Sequence, residues 1–170
     1  MIELTEQDID YISVGASVLG SGGGGDPKVG RLLAKSMIQK YGPVNLISID
    51  ELQDDQYVVP VSGMGAPTVS LEKLPSEIEL TNPLQELERA FGKKADVIIP
   101  IEVGGINSLY PVGAAAKLHL PILDADAIGR AFPEAQMETF HLHGLEPEQV
   151  AVGDEKGNVA LLKPINAYWS

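Results

Sequence analysis

Glycines, three carboxylates and one serine carry most of the chemistry this sequence offers. The run Gly20-Ser21-Gly22-Gly23-Gly24-Gly25-Asp26-Pro27 is the densest such feature. Glycines let a backbone approach a ligand closely. If a helix follows, its unsatisfied N–H groups and its dipole favour a carboxylate, a phosphate or a polarised carbonyl. Such a nest of amides can serve as an oxyanion hole. Ser21 is then either a hydrogen-bonding residue or a nucleophile, and the second role needs a base beside it. Asp26, directly before a proline, reads as a helix N-cap ahead of a catalyst.

The carboxylates Glu102, Asp124 and Asp126 each follow a short β-branched or aliphatic run, and glycine-rich turns follow the same runs at Ser62-Gly63-Met64-Gly65-Ala66-Pro67 and Glu102-Val103-Gly104-Gly105. Carboxylates so placed can take a substrate N–H, position a water or coordinate a hard cation. Taken singly, such loops are explained by turn chemistry and helix capping. Their convergence is what favours a site, because open α/β sheets bind ligands outside the carboxyl ends of their strands. His141 and His143 are spaced to share one face of a strand, which permits metal binding but equally ordinary packing. Cysteine is absent, so thiol chemistry and cysteine-ligated zinc are excluded.

The elements that must position these residues can be read from caps and periodicity. Thr5 and Asp8 form the two ends of a capping box, and Ile9, Ile12, Ala16 and Leu19 recur at helical spacing, so a first helix is predicted over about 6–19. Asp26-Pro27 opens a second helix that Gly42-Pro43 stops near Tyr41. Strands are predicted at 44–49, 57–61, 97–101 and 121–123, with helical stretches between them. Asn82-Pro83 is the predicted start of a helix closed by Gly92, and another helix is expected over 107–118. Val150–Val152 and Val159–Leu162 flank Asp154-Glu155-Lys156-Gly157-Asn158 as a hairpin. The fold class expected is α/β in one domain over 1–170: a mostly parallel sheet with flanking helices, a helical N-terminus and a C-terminal β-hairpin.

The letters from Gly20 to Gly25 also satisfy G-x-G-x-x-G, with Asp50 near the place of a ribose-binding acid. A dinucleotide site needs a strand before the first glycine, whereas Thr5 to Leu19 reads as a helix, so no nucleotide cofactor is expected. A Walker A loop fails because no Gly-Lys-Ser/Thr closes the run. A net charge of -12 argues against nucleic acid or an anionic membrane surface as partner. The start Met1-Ile2-Glu3-Leu4-Thr5-Glu6 lacks the pattern of a secretory signal, which makes the cytoplasm the expected location.

Four motifs in order bear a family resemblance: Leu19 to Pro27; Gly65-Ala66-Pro67-Thr68-Val69 with Glu72-Lys73; Glu102-Val103-Gly104-Gly105-Ile106-Asn107; and Asp124 to Glu134 with Gln136-Met137. Together they resemble the N-terminal domain of the S-methyl-thiohydantoin desulfurase family, which is found alongside hydantoinase and oxoprolinase-like proteins. The resemblance implies hydrolysis of an S-methyl-thiohydantoin to a hydantoin with loss of methanethiol. It also implies a partner, either a second β-rich domain or a hydantoinase-like protein, and a homo-oligomeric assembly is expected. On this reading Glu102 or the pair Asp124 and Asp126 serves as base or as ligand of a divalent metal. Gly22, Gly23, Gly24 and Gly25 hold the developing anion, with Ser21 beside them, while Asn107 and Arg130 orient the small-molecule substrate. A structural ion pair is the competing role for Arg130. Where this sequence has Ser21, the family often has cysteine, so a thiol-dependent step could not operate here. The alternative reading is a noncatalytic ligand-binding or subunit-association module that needs a separate partner domain.

Overall fold

Alternating side chains along the short strands of one sheet decide how the molecule is layered. In the computed structural model, which describes residues 1–65, 72–73, 75–131 and 134–169, the strands are β1 (Ile2–Leu4), β2 (Val44–Ile47), β3 (Val58–Val61), β4 (Val97–Pro100) and β5 (Ile122–Leu123). They form one sheet in the order β1-β2-β5-β4-β3. All neighbours are parallel except β1, which pairs antiparallel with β2.

Because successive strand residues point to opposite faces, Val44, Val59, Ile98 and Ile122 enter one buried cluster while Ile47, Val97, Ile99 and Leu123 enter another. The first cluster is completed by helices α1 (Glu6–Gly20), α2 (Pro27–Tyr41), α3 (Glu77–Phe91) and α4 (Tyr110–Leu118), through Ile9, Met37, Leu84 and Val112 among others. The second is covered more thinly, by Leu52, Ala125 and Phe140. Phe140 belongs to α5 (Thr139–Leu142). β4 is buried along its whole length, as expected for a central parallel strand with both faces covered. Strands β6 (Val150–Gly153) and β7 (Val159–Leu162) form a separate antiparallel hairpin laid on α3. Among the described residues, no helix is long and apolar enough to cross a membrane.

Several sequence expectations hold closely, and the two helices around the glycine run lie almost where their caps put them. Others are corrected. The third helix begins at Glu77, not at Asn82, and Pro83 lies inside it. Proline there withholds an N–H from the carbonyl one turn back. The helix nevertheless extends toward its N-terminus because Leu80 and Leu84 are buried on one side. Glu77 also anchors the first turn, accepting hydrogen bonds from Lys40 Nζ at 2.7 Å and Tyr41 Oη at 2.6 Å. The stretch expected as helix from Asn107 opens instead with a 3-10 turn at Gly105–Ser108, followed by α4. The strand expected to run to Ile49 stops at Ile47, and Ile49–Glu51 forms a 3-10 turn.

His141 and His143 do not stand on one strand face. His141 lies in α5 and His143 caps it. At about 100° per residue a helix turns two such side chains well apart. His141 Nδ1 comes within 2.8 Å of Glu146 Oε1, but off hydrogen-bonding geometry, and its ring meets Tyr168 edge-on. The motif segment Ala66 to Ser70, Phe132-Pro133 and Ser170, and the side chain of Trp169, lie outside the described residues.

The Glu77 anchor has a pH signature. Its hydrogen bonds to Lys40 and Tyr41 hold its carboxyl below the usual value of 4.5. A depressed acid contributes stability above its unfolded pKa and loses it as pH falls through the folded one. The difference in thermal stability between the wild type and Glu77→Gln is therefore expected to be present at neutral pH and to vanish as pH drops below 4.5. Melting both proteins across pH 3 to 7 would show a constant difference if the anchor carries no charge effect.

Candidate active site at the glycine loop

The loop between α1 and α2 is built by its caps. α1 ends with Ser21 at φ 47°, in the left-handed region, and its hydroxyl donates to the Val18 carbonyl at 3.0 Å. Gly22, Gly24 and Gly25 also have positive φ, of 93°, 72° and 79°. Gly23 N–H turns back to Gly20 O at 2.7 Å, and Asp26 caps α2 by accepting from Lys28 N–H at 2.8 Å. Asp26 is thus the structural residue the sequence suggests. The amides of Gly22, Gly24 and Gly25 take no hydrogen-bond acceptor among the described residues.

The loop does not hang free over the sheet. Ile106 N–H donates to Gly24 O at 2.7 Å, locking the loop to the segment that leaves β4. The two backbones are so close that a Cβ on Gly24 would sit 2.4 Å from Gly104 O, and one on Gly105 would sit 2.3 Å from Gly24 O. Gly20 lies against Gly105 in the same way, and Gly23 and Gly104 both approach Ala131 from the loop after β5. Close backbone approach, the property glycine alone supplies, is here used to join three loops at the carboxyl end of the sheet.

Beside this junction lies a small polar chain. Glu102 is only 6% exposed, and Asn107 Nδ2 donates to its Oε1 at 2.6 Å. Asn107 Oδ1 in turn accepts from Gly63 N–H, at the end of β3, at 2.8 Å. One buried amide therefore ties the ends of β3 and β4 and fixes the carboxylate. Gly104 N–H donates to Ser108 Oγ at 2.8 Å, completing the turn.

The other expected site residues fall differently. Asp126 accepts from the backbone N–H groups of Ile128 and Gly129, so it shapes its own loop. The backbone of Asp124 donates to Ile47 O at 2.7 Å and its side chain is exposed. Arg130 is exposed on the same loop. A cleft of about 320 Å³ opens between the end of α1 and the start of α2, lined by Ser17, Gly20, Gly22, Gly23, Asp26 and Gly105 among others. Glu102, Asp124 and Asp126 are not among its lining residues. Gly105, three positions after Glu102 in the sequence, is the one lining residue from the segment that carries Glu102 and Asn107. Among the described residues, no group of three or more His, Asp or Glu side chains is placed to hold a metal ion. The segment before Gly20 is helical, so the strand that a dinucleotide fingerprint requires is not there.

Tyr110 is a residue that reading the sequence missed. Its ring packs where a Gly63 side chain would be, next to Asn107, and burial, reinforced by the negative charge of Glu79, pushes its phenol well above the usual range. Its hydroxyl therefore stays neutral. At the head of an alanine-rich helix it reads simply as core, and no spacing marks it out.

Ser21 can be tested directly. With its hydroxyl returned to the carbonyl of its own helix and its side chain exposed, Ser21→Ala is expected to change stability by less than about 1 kcal/mol. Turnover should remain within about threefold of wild type, against the loss of several decades that follows removal of a nucleophile. A collapse of turnover in a folded Ser21→Ala protein would restore the nucleophile role.

With this geometry in hand, the chain matches over residues 7–164 the family model described as S-Me-THD-like, N-terminal domain. It superposes on a crystal structure of a protein from Chromobacterium violaceum with a TM-score of 0.82 and 27% sequence identity. The match covers 96% of this chain and 45% of that one, so this chain spans a little under half the length of that relative. No curated protein matches it.

Proposed function

This chain belongs to the S-Me-THD-like N-terminal domain family, and we propose from that membership that it supplies the water-activating half of a hydrolytic site for a cyclic S-methyl-thiohydantoin. The observation that carries the reading is the buried Glu102, held at 2.6 Å by Asn107 beside the glycine junction. A carboxylate withdrawn from solvent and fixed by a neutral donor is suited to take a proton from water.

In the proposed reaction Glu102 removes a proton as water oxygen bonds to the ring carbon that carries the S-methyl group. The C=N electron pair moves to the ring nitrogen, giving a tetrahedral adduct. Glu102 passes the proton it took to that ring nitrogen; the adduct hydroxyl then loses its proton as the C–S bond breaks, the carbon becomes a C=O, and that second proton leaves on sulfur as methanethiol. The products are hydantoin and methanethiol, and no oxidant or reductant is consumed. The open amides of Gly22, Gly24 and Gly25, at the positive end of α2, are suited to hold a ring carbonyl or the charge that develops on it. Arg130 and Asp124, on the exposed loop after β5, would orient the ring from the solvent side.

The test is release of methanethiol from an S-methyl-thiohydantoin, followed with a thiol reagent. Because the chain spans 45% of its solved relative, it is assayed together with a separately produced polypeptide corresponding to the unmatched part of that relative. Stoichiometric hydantoin and thiol are expected. Absence of both from the combined, folded protein would overturn the proposal.

A further inference from the structure

The hairpin β6-β7 is apolar on both faces, and the α3 side is only the better covered of the two, with Val159 at 36% and Leu161 at 37% exposed. In its register Val150 pairs with Leu162, Ala151 with Leu161, Val152 with Ala160, and Gly153 with Val159. Cross-strand partners share a face and alternate along the strand. Gly153 faces α3, where a Cβ would sit 2.6 Å from Pro83 Cγ, so Ala151, Leu161 and Val159 lie on the α3 side with it. Val150, Val152, Ala160 and Leu162 therefore point away from the domain. Val152 is 45% and Leu162 47% exposed, and Ile165, just beyond the strand, is 88% exposed. Neither strand contains a charged residue; Asp154 directly follows β6, and Lys163 and Pro164 directly follow β7. Natural edge strands are normally blunted by such residues within the strand. The outer edge of β7 is also unpaired among the described strands.

We propose that this outer face, Val150, Val152, Ala160, Leu162 and Ile165 with the open edge of β7, is the docking surface for the module that follows this domain in its longer relatives. Two observations select that occupant. The matched family is an N-terminal domain, and the match stops at residue 164, two residues after β7 ends at Leu162. The solved relative carries more than half of its length outside the matched part, which is ample for a module with an apolar strand surface of its own. An uncharged strand edge pairs with another strand through main-chain hydrogen bonds, and alternate apolar side chains give the fit. The docked module is therefore expected to present a β-strand or sheet face. This inference does not depend on the hydrolase reading, and its readout is binding, not turnover.

The experiment uses this chain and the module encoded directly after it, produced as a separate polypeptide. Hydrogen exchange of the amides in 150–153 and 159–162 is measured with and without that module, and affinity is measured by calorimetry. Exchange in β7 is expected to slow by about tenfold or more on binding. Val152→Glu and Leu162→Glu should each weaken binding by about tenfold or more, since a charge is then buried in an apolar contact. Val14→Glu, at a more exposed apolar site on α1, should leave binding unchanged and reports whether a glutamate at an exposed apolar site is harmful in itself. Unchanged hairpin exchange in a formed complex, no complex at all, or a genome that encodes no such module would overturn the proposal. So would a dimer of this chain alone that Leu162→Glu dissociates, since a second copy would then be the occupant.

Discussion

Gly105→Ala is expected to destabilise the protein by about 4 kcal/mol, an effect at the upper end for single substitutions. Two costs add. Gly105 has φ 58°, in the left-handed region, and its new Cβ would lie 2.3 Å from Gly24 O and 2.4 Å from Gly25 O. The first cost is about 1–2 kcal/mol of backbone strain. The second is larger because the obstructing atoms are backbone, so the glycine loop itself would have to withdraw and break the Ile106 N–H to Gly24 O bond. For a chain of this size the midpoint of thermal unfolding should fall by about 8–16 °C. Gly22→Ala is the matched control. It has a positive φ of 93° but nothing within 4 Å of the added Cβ, so only about 1–2 kcal/mol is expected. Thermal melts of the two variants decide the matter. Equal losses would mean that the glycine junction is a set of permissive turns and not a close backbone contact.

Glu102→Gln is expected to lower thiol release by about 100-fold or more, since it removes the proton acceptor on which the proposed step depends. The shape of the side chain is kept, and its carbonyl oxygen can still accept from Asn107 Nδ2, so the variant is expected to fold. This separates chemistry from folding. Asn107→Ala would blur it, because Gly63 N–H and Glu102 would each lose a hydrogen bond to the same side chain. Steady-state turnover beside a thermal melt checks the prediction. A folded Glu102→Gln protein that keeps wild-type turnover would remove Glu102 from the chemistry.

Local signals were legible where a single turn of chain carries all the information. Thr5 with Asp8, and Asp26 with Pro27, placed the starts of α1 and α2, because a cap is a contact between residues two or three apart. Asn82-Pro83 misled for the same reason. A proline beside a polar residue imitates a helix start, whereas the burial of Leu80 and Leu84 and the anchoring of Glu77 by α2 are long-range facts. The two histidines misled through period: alternation is readable only once the segment is known to be a strand, and Thr139–Leu142 is not one.

For the site, sequence alone determined the residue types, the loops that bear them and the family they resemble. It gave the glycine run between two helices and the carboxylates after aliphatic strands, since both follow from local periodicity and capping. Only the tertiary structure decided what those residues do to one another. It set the glycines of two loops against each other, buried Glu102 on Asn107, packed the Tyr110 ring against Gly63 and turned Asp126 onto its own loop. The reason is physical: a hydrogen bond between residues 44 positions apart, like that of Gly63 to Asn107, depends on how parallel strands are ordered in the sheet, and no short window of sequence contains that order.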